Sequence, residues 1–208
     1  MKSDRMPVRS VVALVLIGLA AAMVLAGLDL FTRERIEQEQ QTRALAAVAD
    51  MLPAGSYDND LLDDVVEVRI DGFERPARFY LARLDGEPVA AVIDVTTPRG
   101  YSGDIRLLVA VDIRGVVRQV SVLEHRETPG LGDRIEARRS DWLEQFAGRS
   151  LDNPESQGWA PDRRGGEFDT LTSATITVAA VIEAVRQSLE AMEGEGEDLF
   201  AEDDRIKP

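Results

Sequence analysis

The chain has 208 residues, of which 38 are acidic and 24 are basic, so its formal net charge at pH 7 is −14. Such an acidic chain is a poor partner for nucleic acid, because that affinity depends on Lys and Arg neutralising phosphates. The chain contains no cysteine and one histidine, which excludes a Cys-ligated iron–sulfur cluster, a thiol nucleophile, a disulfide and a multi-histidine metal site. Any redox chemistry must therefore use an organic cofactor, and the length suggests one globular domain with extra segments.

An apolar segment near the N-terminus predicts a membrane helix. Residues 10–28 carry no charged side chain, and at about 1.5 Å per residue they reach roughly 28 Å, enough to cross a bilayer core. Basic residues within 1–9 precede the segment and Asp29 follows it, so the N-terminus is expected in the cytoplasm. A cleaved signal peptide, cut near residues 20–22, is the alternative, but the apolar run continues past that point. We therefore predict an uncleaved anchor at residues 10–31.

Five short runs rich in β-branched residues and separated by turn signals predict strands at residues 65–70, 77–82, 89–95, 105–111 and 116–123. Their spacing of about a dozen residues favours an antiparallel meander over alternating β and α units. A connecting helix and linker is predicted at residues 32–55. The fold class is therefore expected to be α+β: an antiparallel sheet packed by helices and preceded by one transmembrane helix.

Two further helices are indicated by the spacing of apolar residues. One pattern lies within residues 133–146, and the other supplies a single apolar stripe after residue 177, formed by Val178, Val181, Ile182, Val185, Leu189 and Met192. The folded domain is expected at residues 56–192, outside the cytoplasm. The mostly charged residues 193–208 are predicted to form a poorly ordered acidic tail.

A hydroxyl-rich stretch at residues 169–177 directly precedes the second helical pattern. The start of a helix has unpaired N–H groups and the positive end of the helix dipole, which together favour an anion such as phosphate. Ser and Thr at such a position also act as helix caps. From the residues alone, capping and anion binding therefore both remain open.

Asp169, Thr172, Ala174 and Thr175 match the Asp-x-x-(Ser/Thr)-Gly-Ala-Thr sequence of FMN-binding domains, and Ser173 stands where that family usually has Gly. The stretch thus resembles domains that carry flavin on a threonine through a phosphoester. The resemblance implies that FMN is bound covalently to Thr175. It also implies a separate flavin transferase that uses FAD as donor, releases AMP and recognises the loop through the other four motif residues. Thr177 is a candidate for an additional contact with the phosphate.

Two more segments match the same family. The loop His125-Arg-Glu-Thr-Pro-Gly-Leu-Gly132 and the segment Gly100-Tyr-Ser-Gly103 resemble the G subunit of the Rnf (Rsx) ion-translocating electron-transport complex. The resemblance implies that these loops contact the flavin ring, whose surroundings set its potential. The candidates are Glu127, Thr128, Gly130 and Leu131, with His125 and Tyr101 in addition.

The family implies a membrane-anchored flavoprotein that relays electrons in a complex coupling exchange between ferredoxin and NAD to ion translocation. The resemblance further implies that the chain is single-pass in the inner membrane, with its main domain periplasmic. It would act as part of a redox-driven translocase, with no catalytic residue of its own, and with other membrane, iron–sulfur and flavin subunits as partners. The chain lacks a Gly-x-Gly-x-x-Gly stretch after a strand, so it is not expected to bind NAD itself.

Two alternatives remain at this stage. Within redox proteins, the chain could be the equivalent flavin subunit of a sodium-translocating NADH:quinone reductase. From a different class, it could be a non-redox anchored adaptor whose Ser/Thr cluster only caps a helix.

Overall fold

The computed structural model describes residues 11–24, 27 and 46–200. The chain divides into two compact units, residues 1–44 and 45–208. In the first unit residues 11–24 are helical, and all of their side chains are exposed. The predicted anchor at 10–31 and connecting segment at 32–55 lie partly outside the described residues. Within the described ranges, no helix combines the length and the apolar composition that a membrane crossing requires.

In the second unit, residues 46–200 contain five strands in one antiparallel sheet, in which each strand pairs with the next one along the chain. The strands are β1 Val65–Val68, β2 Ala77–Leu84, β3 Glu87–Thr97, β4 Ile105–Asp112 and β5 Val117–Glu124. The predicted meander and the α+β class are therefore confirmed. The β2–β3 hairpin turns at Asp85 and Gly86, which lie at φ +54° and +83°, as a two-residue turn matched to the strand twist requires.

The sheet is buried on both faces. Successive side chains of a strand point to opposite faces, so in β3 Ile93 and Val95 join one core cluster while Val92 joins a second. The C-terminal helix, Thr175–Glu195, covers the first face. The second face packs against residues before β1, including Val48 and Leu61. The sequence predicts a sheet packed by helices, and the structure adds this second layer on the opposite face.

The C-terminal helix carries the apolar stripe that its sequence predicts. All six of the predicted stripe residues are buried: Val178, Val181, Ile182, Val185, Leu189 and Met192. Charged residues take the other side, where Arg186 pairs with Glu183 and Glu190. Burial of one face against the sheet fixes the rotation of the helix, and so fixes the direction in which its first turn points.

The helix predicted within residues 133–146 is replaced by two short 3-10 helices, Gly132–Ile135 and Trp142–Phe146. The first of these helices ends at Ile135, and the next residue, Glu136, has an extended backbone with φ −76° and ψ 133°. The apolar spacing that suggested a helix does predict burial, because Ile135, Trp142 and Phe146 are all in the core. Three apolar side chains at helix-like spacing can thus all be buried although the backbone between them is irregular.

Residues 193–200, which the sequence assigns to the acidic tail, are structured. The C-terminal helix continues to Glu195, and a 3-10 helix follows at Gly196–Leu199. Leu199 is buried, and the carbonyl oxygen of Phe200 accepts a hydrogen bond of 3.0 Å from Arg83 Nη2. Apolar residues 199 and 200 dock this segment, whereas residues 201–208 lie outside the described range.

Candidate functional site

A pocket of about 510 Å³ lies at the N-terminal end of the C-terminal helix. Three segments that are far apart in the sequence form it: the loop before β4, the loop after β5, and the first turn of the helix. Its lining residues are Tyr101, Glu127, Thr128, Leu131, Gly132, Ser173, Ala174, Thr175, Ile176 and Thr177. Eight of these ten are candidates from the sequence motifs. Sequence reasoning missed Gly132 and Ile176. The signals that could have indicated them are that Gly132 ends the motif of residues 125–132 and that Ile176 directly follows Thr175.

The first turn of the C-terminal helix offers unpaired N–H groups to the pocket. Thr175 is the first helical residue and Ala174 is the N-cap. The first hydrogen bond of the helix runs from Val178 N–H to the Ala174 carbonyl at 3.0 Å, so the N–H groups of residues 175–177 precede the helical ladder. Among the described residues, no side chain makes a capping hydrogen bond to this helix. The N–H groups and the helix dipole therefore remain free to bind an anion.

Ser173 enters this helix through a left-handed backbone conformation, with φ +68°. Residues other than glycine rarely adopt this conformation, because their Cβ crowds the backbone at a cost of roughly 1–2 kcal/mol. The following N–H, of Ala174, donates to the carbonyl of Leu171 at 3.1 Å and closes the turn. The glycine that the related motif usually has at this position suits the turn for the same steric reason.

Glu127 joins the three segments that build the pocket. Its carboxylate is buried, with 5% of the residue exposed. Thr177 Oγ1 donates to Oε2 at 2.6 Å, and the Ser102 N–H donates to Oε1 at 3.1 Å. A side chain at position 132 would not fit beside it, because a Cβ there would lie 2.8 Å from both Cβ and Oε2 of Glu127. The missing side chain of Gly132 thus lets the loop close onto the carboxylate.

His125 lies behind the pocket instead of lining it. Its Nδ1 accepts a hydrogen bond of 3.0 Å from the Glu127 N–H, so a neutral ring carries its proton on Nε2, 2.8 Å from Glu136 Oε1. A hydrogen bond from the Arg138 guanidinium, assisted by His125, lowers the pKa of Glu136 to about 2. His125 therefore orients the backbone of the loop that presents Glu127.

Apolar side chains surround the mouth of the pocket. Tyr101 is 67% exposed, Ile176 49% and Leu131 42%, and each comes from a different segment of the lining. Apolar walls with a few polar groups suit an aromatic ring system such as isoalloxazine. A hydroxyl, free N–H donors and apolar walls thus occur together. This combination fits FMN, with its phosphate near the hydroxyl and the N–H donors and its ring between the apolar walls.

Four of the residues predicted from the motifs do not line the pocket. His125 is behind it, and Gly130 forms part of the adjoining turn, where its N–H donates to Asp133 Oδ1 at 2.8 Å. Asp169 and Thr172 have exposed side chains on the approach to the helix. The motif around Thr175 is therefore divided into an outer half at Asp169 and Thr172 and an inner half that begins at Ser173.

A larger cavity, of about 880 Å³, lies near the other end of the C-terminal helix. Its apolar lining includes Ile113, Leu151, Leu189, Met192 and Phe200. It contains none of the motif residues, and the hydroxyl and helix N-terminus that could hold a phosphate are elsewhere. The smaller pocket is therefore the candidate site.

Comparison with known proteins agrees with this geometry. The sequence profile of the family described as "FMN-binding domain" matches residues 100–190, a range that includes all ten lining residues of the smaller pocket.

The chain is also similar over most of its length to proteins named as the G subunit of an ion-translocating oxidoreductase complex. It is 40% identical over 200 residues to the protein of Pseudomonas aeruginosa (strain UCBPP-PA14), which covers 95% of this chain and 94% of the relative. It is 39% identical over 178 residues to that of Escherichia coli (strain K12), covering 85% of this chain and 86% of the relative. The chain therefore belongs to the G-subunit family of ion-translocating oxidoreductase complexes.

Proposed function

We propose that this protein carries FMN covalently on Thr175 and relays electrons within an ion-translocating oxidoreductase complex. The observation that carries the proposal is the position of Thr175. This residue is the first of an uncapped helix, in a pocket of about 510 Å³ built by residues of all three sequence motifs. The FMN-binding profile and the names of the relatives support the same function.

Attachment of the flavin follows a balanced phosphoryl transfer. The Thr175 hydroxyl oxygen attacks the FMN phosphorus of FAD, and a phosphoester bond forms as the bond to the bridging oxygen of the pyrophosphate breaks. AMP leaves with the electron pair of that bond, and the hydroxyl proton passes to a base. An unactivated alcohol is a weak nucleophile, so the base is assigned to a separate flavin transferase. The reaction involves no change of oxidation state.

Once attached, the phosphate is an anion at the start of a helix. The N–H groups of residues 175–177 and the helix dipole favour it there. The ring is proposed to lie between the apolar side chains of Tyr101, Leu131 and Ile176, above Glu127 and Thr128. A covalent bond prevents loss of the flavin into a dilute compartment from which free FMN could not be recaptured.

The N-terminal segment is proposed to anchor the protein in the inner membrane. Residues 11–24 are helical, exposed and uncharged, as expected for a helix whose solvent is lipid. In this arrangement residues 1–9 are cytoplasmic, 10–31 span the membrane, 32–55 connect, and 56–192 form a periplasmic flavin domain. The acidic segment 193–208 follows the domain.

The protein is proposed to act as an electron carrier and not as an enzyme by itself. Its partners would be the other membrane, iron–sulfur and flavin subunits of the complex, on the ferredoxin and NAD side, together with the transferase during maturation. The adaptor alternative requires the Ser/Thr cluster to cap the helix. That requirement fails within the described residues, because Ala174 is the N-cap and no side chain makes the capping bond.

The decisive experiment is the intact mass of the protein purified from its own membranes, followed by peptide mapping. We expect the mass of FMN less water on the peptide that contains Thr175, and its loss in Thr175→Ala. Thr170→Val is the matched control, because it removes a hydroxyl from the same peptide at a position outside the pocket lining. An unmodified Thr175 in protein made beside an active transferase would contradict the proposal.

A further inference from the structure

We infer that Trp142 and Gln145 hold the outer half of the Thr175 motif in the conformation that a flavin transferase binds. This inference rests on the proposed function, since it concerns recognition of the same modification site. The two side chains project from the 3-10 helix Trp142–Phe146, which lies outside the three motifs identified in the sequence. We call their paired hydrogen bonds to the backbone of Asp169 the Asp169 clamp.

The Asp169 clamp forms hydrogen bonds with both polar groups of the Asp169 backbone. Trp142 Nε1–H donates to the Asp169 carbonyl oxygen at 2.6 Å. The Asp169 N–H donates to Gln145 Oε1 at 2.8 Å. With its N–H and its C=O both bound, the backbone of Asp169 is fixed in direction, while its carboxylate remains exposed.

Both clamping side chains are themselves held in place. The Trp142 ring is buried and meets Phe146 edge-to-face, with 5.5 Å between the ring centroids. Gln145 Nε2 donates to the Trp142 carbonyl at 2.8 Å, which leaves Oε1 as the acceptor for Asp169. Because these two side chains are already held by their own contacts, binding the Asp169 backbone costs them little further conformational entropy.

Buried residues on either side leave the outer half of the motif at the surface. Phe168 and Leu171 are buried in the main core, whereas Asp169 and Thr172 between and beyond them are exposed. Phe168 stacks on Phe146 at 4.9 Å between centroids, so the same 3-10 helix supports the loop from below. The exposed Asp169 and Thr172 side chains thus form a rigid edge beside Thr175, suited to docking by an enzyme that must reach that hydroxyl.

The clamp predicts a specific kinetic signature. If the loop loses one clamping bond, a smaller fraction of the protein presents Asp169 correctly, and the apparent affinity falls in proportion to that fraction. One hydrogen bond between neutral groups corresponds to about five-fold in such an equilibrium. The KM of the transferase for this protein should therefore rise by up to about five-fold, with the full change reached when the correctly presented conformation has become the minority. The kcat stays unchanged because the chemistry at Thr175 is the same.

The test uses the full-length protein, made without a transferase and solubilised in detergent, with purified transferase and FAD. Trp142→Phe removes the indole donor but keeps an aromatic ring, and Gln145→Met removes the acceptor at similar length. Trp159→Phe is the matched control. Trp159 belongs to the same aromatic cluster, 4.9 Å from Phe168, but its Nε1 donates to the Ser150 carbonyl at 3.3 Å instead of to the motif. Covalent flavin is followed by mass, and thermal unfolding confirms that each variant is folded.

We expect a higher KM for Trp142→Phe and Gln145→Met and a KM like that of the unsubstituted protein for Trp159→Phe. Modification of all four proteins with the same KM would overturn the clamp while leaving the proposed function intact. If the unsubstituted protein is never modified, the proposed function fails first. Should Trp142→Phe not fold, the half-buried Gln145 decides the question alone. A fall in kcat in all three variants would indicate general loosening of the core and would also overturn the inference.

Discussion

Replacing Ser173 with glycine should stabilise the domain. Ser173 lies at φ +68° in the turn that leads into the C-terminal helix, and its side chain is exposed. The side-chain hydrogen bonds of the described residues around it involve Thr170 and Thr177 and not the Ser173 hydroxyl, so the substitution removes little besides the Cβ atom. That atom is the source of the steric cost in a left-handed conformation.

Two opposing terms set the size of the effect. Removal of the Cβ relieves roughly 1–2 kcal/mol of backbone strain. Glycine also gives the unfolded chain more conformational freedom, which costs about 0.5–1 kcal/mol. The net expectation is a gain of about 0.5–1 kcal/mol in the free energy of unfolding, equivalent to a rise in Tm of about 1–4 °C in a chain of this size.

The assay is urea unfolding of the two variants Ser173→Gly and Ser173→Ala beside the unsubstituted protein. Ser173→Ala keeps the Cβ and removes only the hydroxyl, so its stability should stay within about 0.5 kcal/mol of the starting value. A gain in the glycine variant alone would support the strain argument. A loss in the glycine variant would show that the turn is not strained, and equal stability in both variants would contradict the predicted net gain; either result would refute the reasoning.

Two other substitutions test the pocket and its support. Gly132→Ala should lower the free energy of unfolding by about 1–3 kcal/mol, because its Cβ would lie 2.8 Å from the Glu127 side chain. The control Gly194→Ala has open space around it in an exposed part of the helix and should be neutral or stabilising. Equal urea midpoints for the two variants would contradict the packing argument. The Arg138 guanidinium helps to lower the pKa of Glu136 from 4.5 to about 2. A depressed carboxyl pKa stabilises the fold above pH 4.5, and that contribution is lost as the pH falls to about 2. Urea unfolding across this interval should therefore show a smaller acid loss in Glu136→Gln, and parallel losses would contradict the assignment.

The strands and the main helix could be predicted because their signals are local. β-branched runs between Gly-containing turns specify an antiparallel meander when each connection is too short for a crossover helix. The stripe from Val178 to Met192 requires one helix face to be buried. These patterns depend on residues a few positions apart, so the sequence alone determines them.

Irregular segments could not be predicted in the same way. Ile135, Trp142 and Phe146 have helix-like spacing, yet the chain between them follows two 3-10 helices and an extended residue. Apolar spacing indicates which side chains must be buried, but several backbone paths satisfy that requirement. The core formed with Phe168 and Trp159 selected the path.

For the site, the motifs supplied the residues and the tertiary structure supplied their arrangement. Sequence alone placed Thr175 in the stretch directly before a helix and grouped Glu127, Thr128 and Leu131 in one loop. Only the fold brought Glu127 within 2.6 Å of Thr177 Oγ1, fifty positions along the chain, and set Trp142 against the Asp169 backbone. Such pairings depend on how the sheet and the C-terminal helix pack, because no local preference acts across fifty residues and the packed core alone fixes which loops meet.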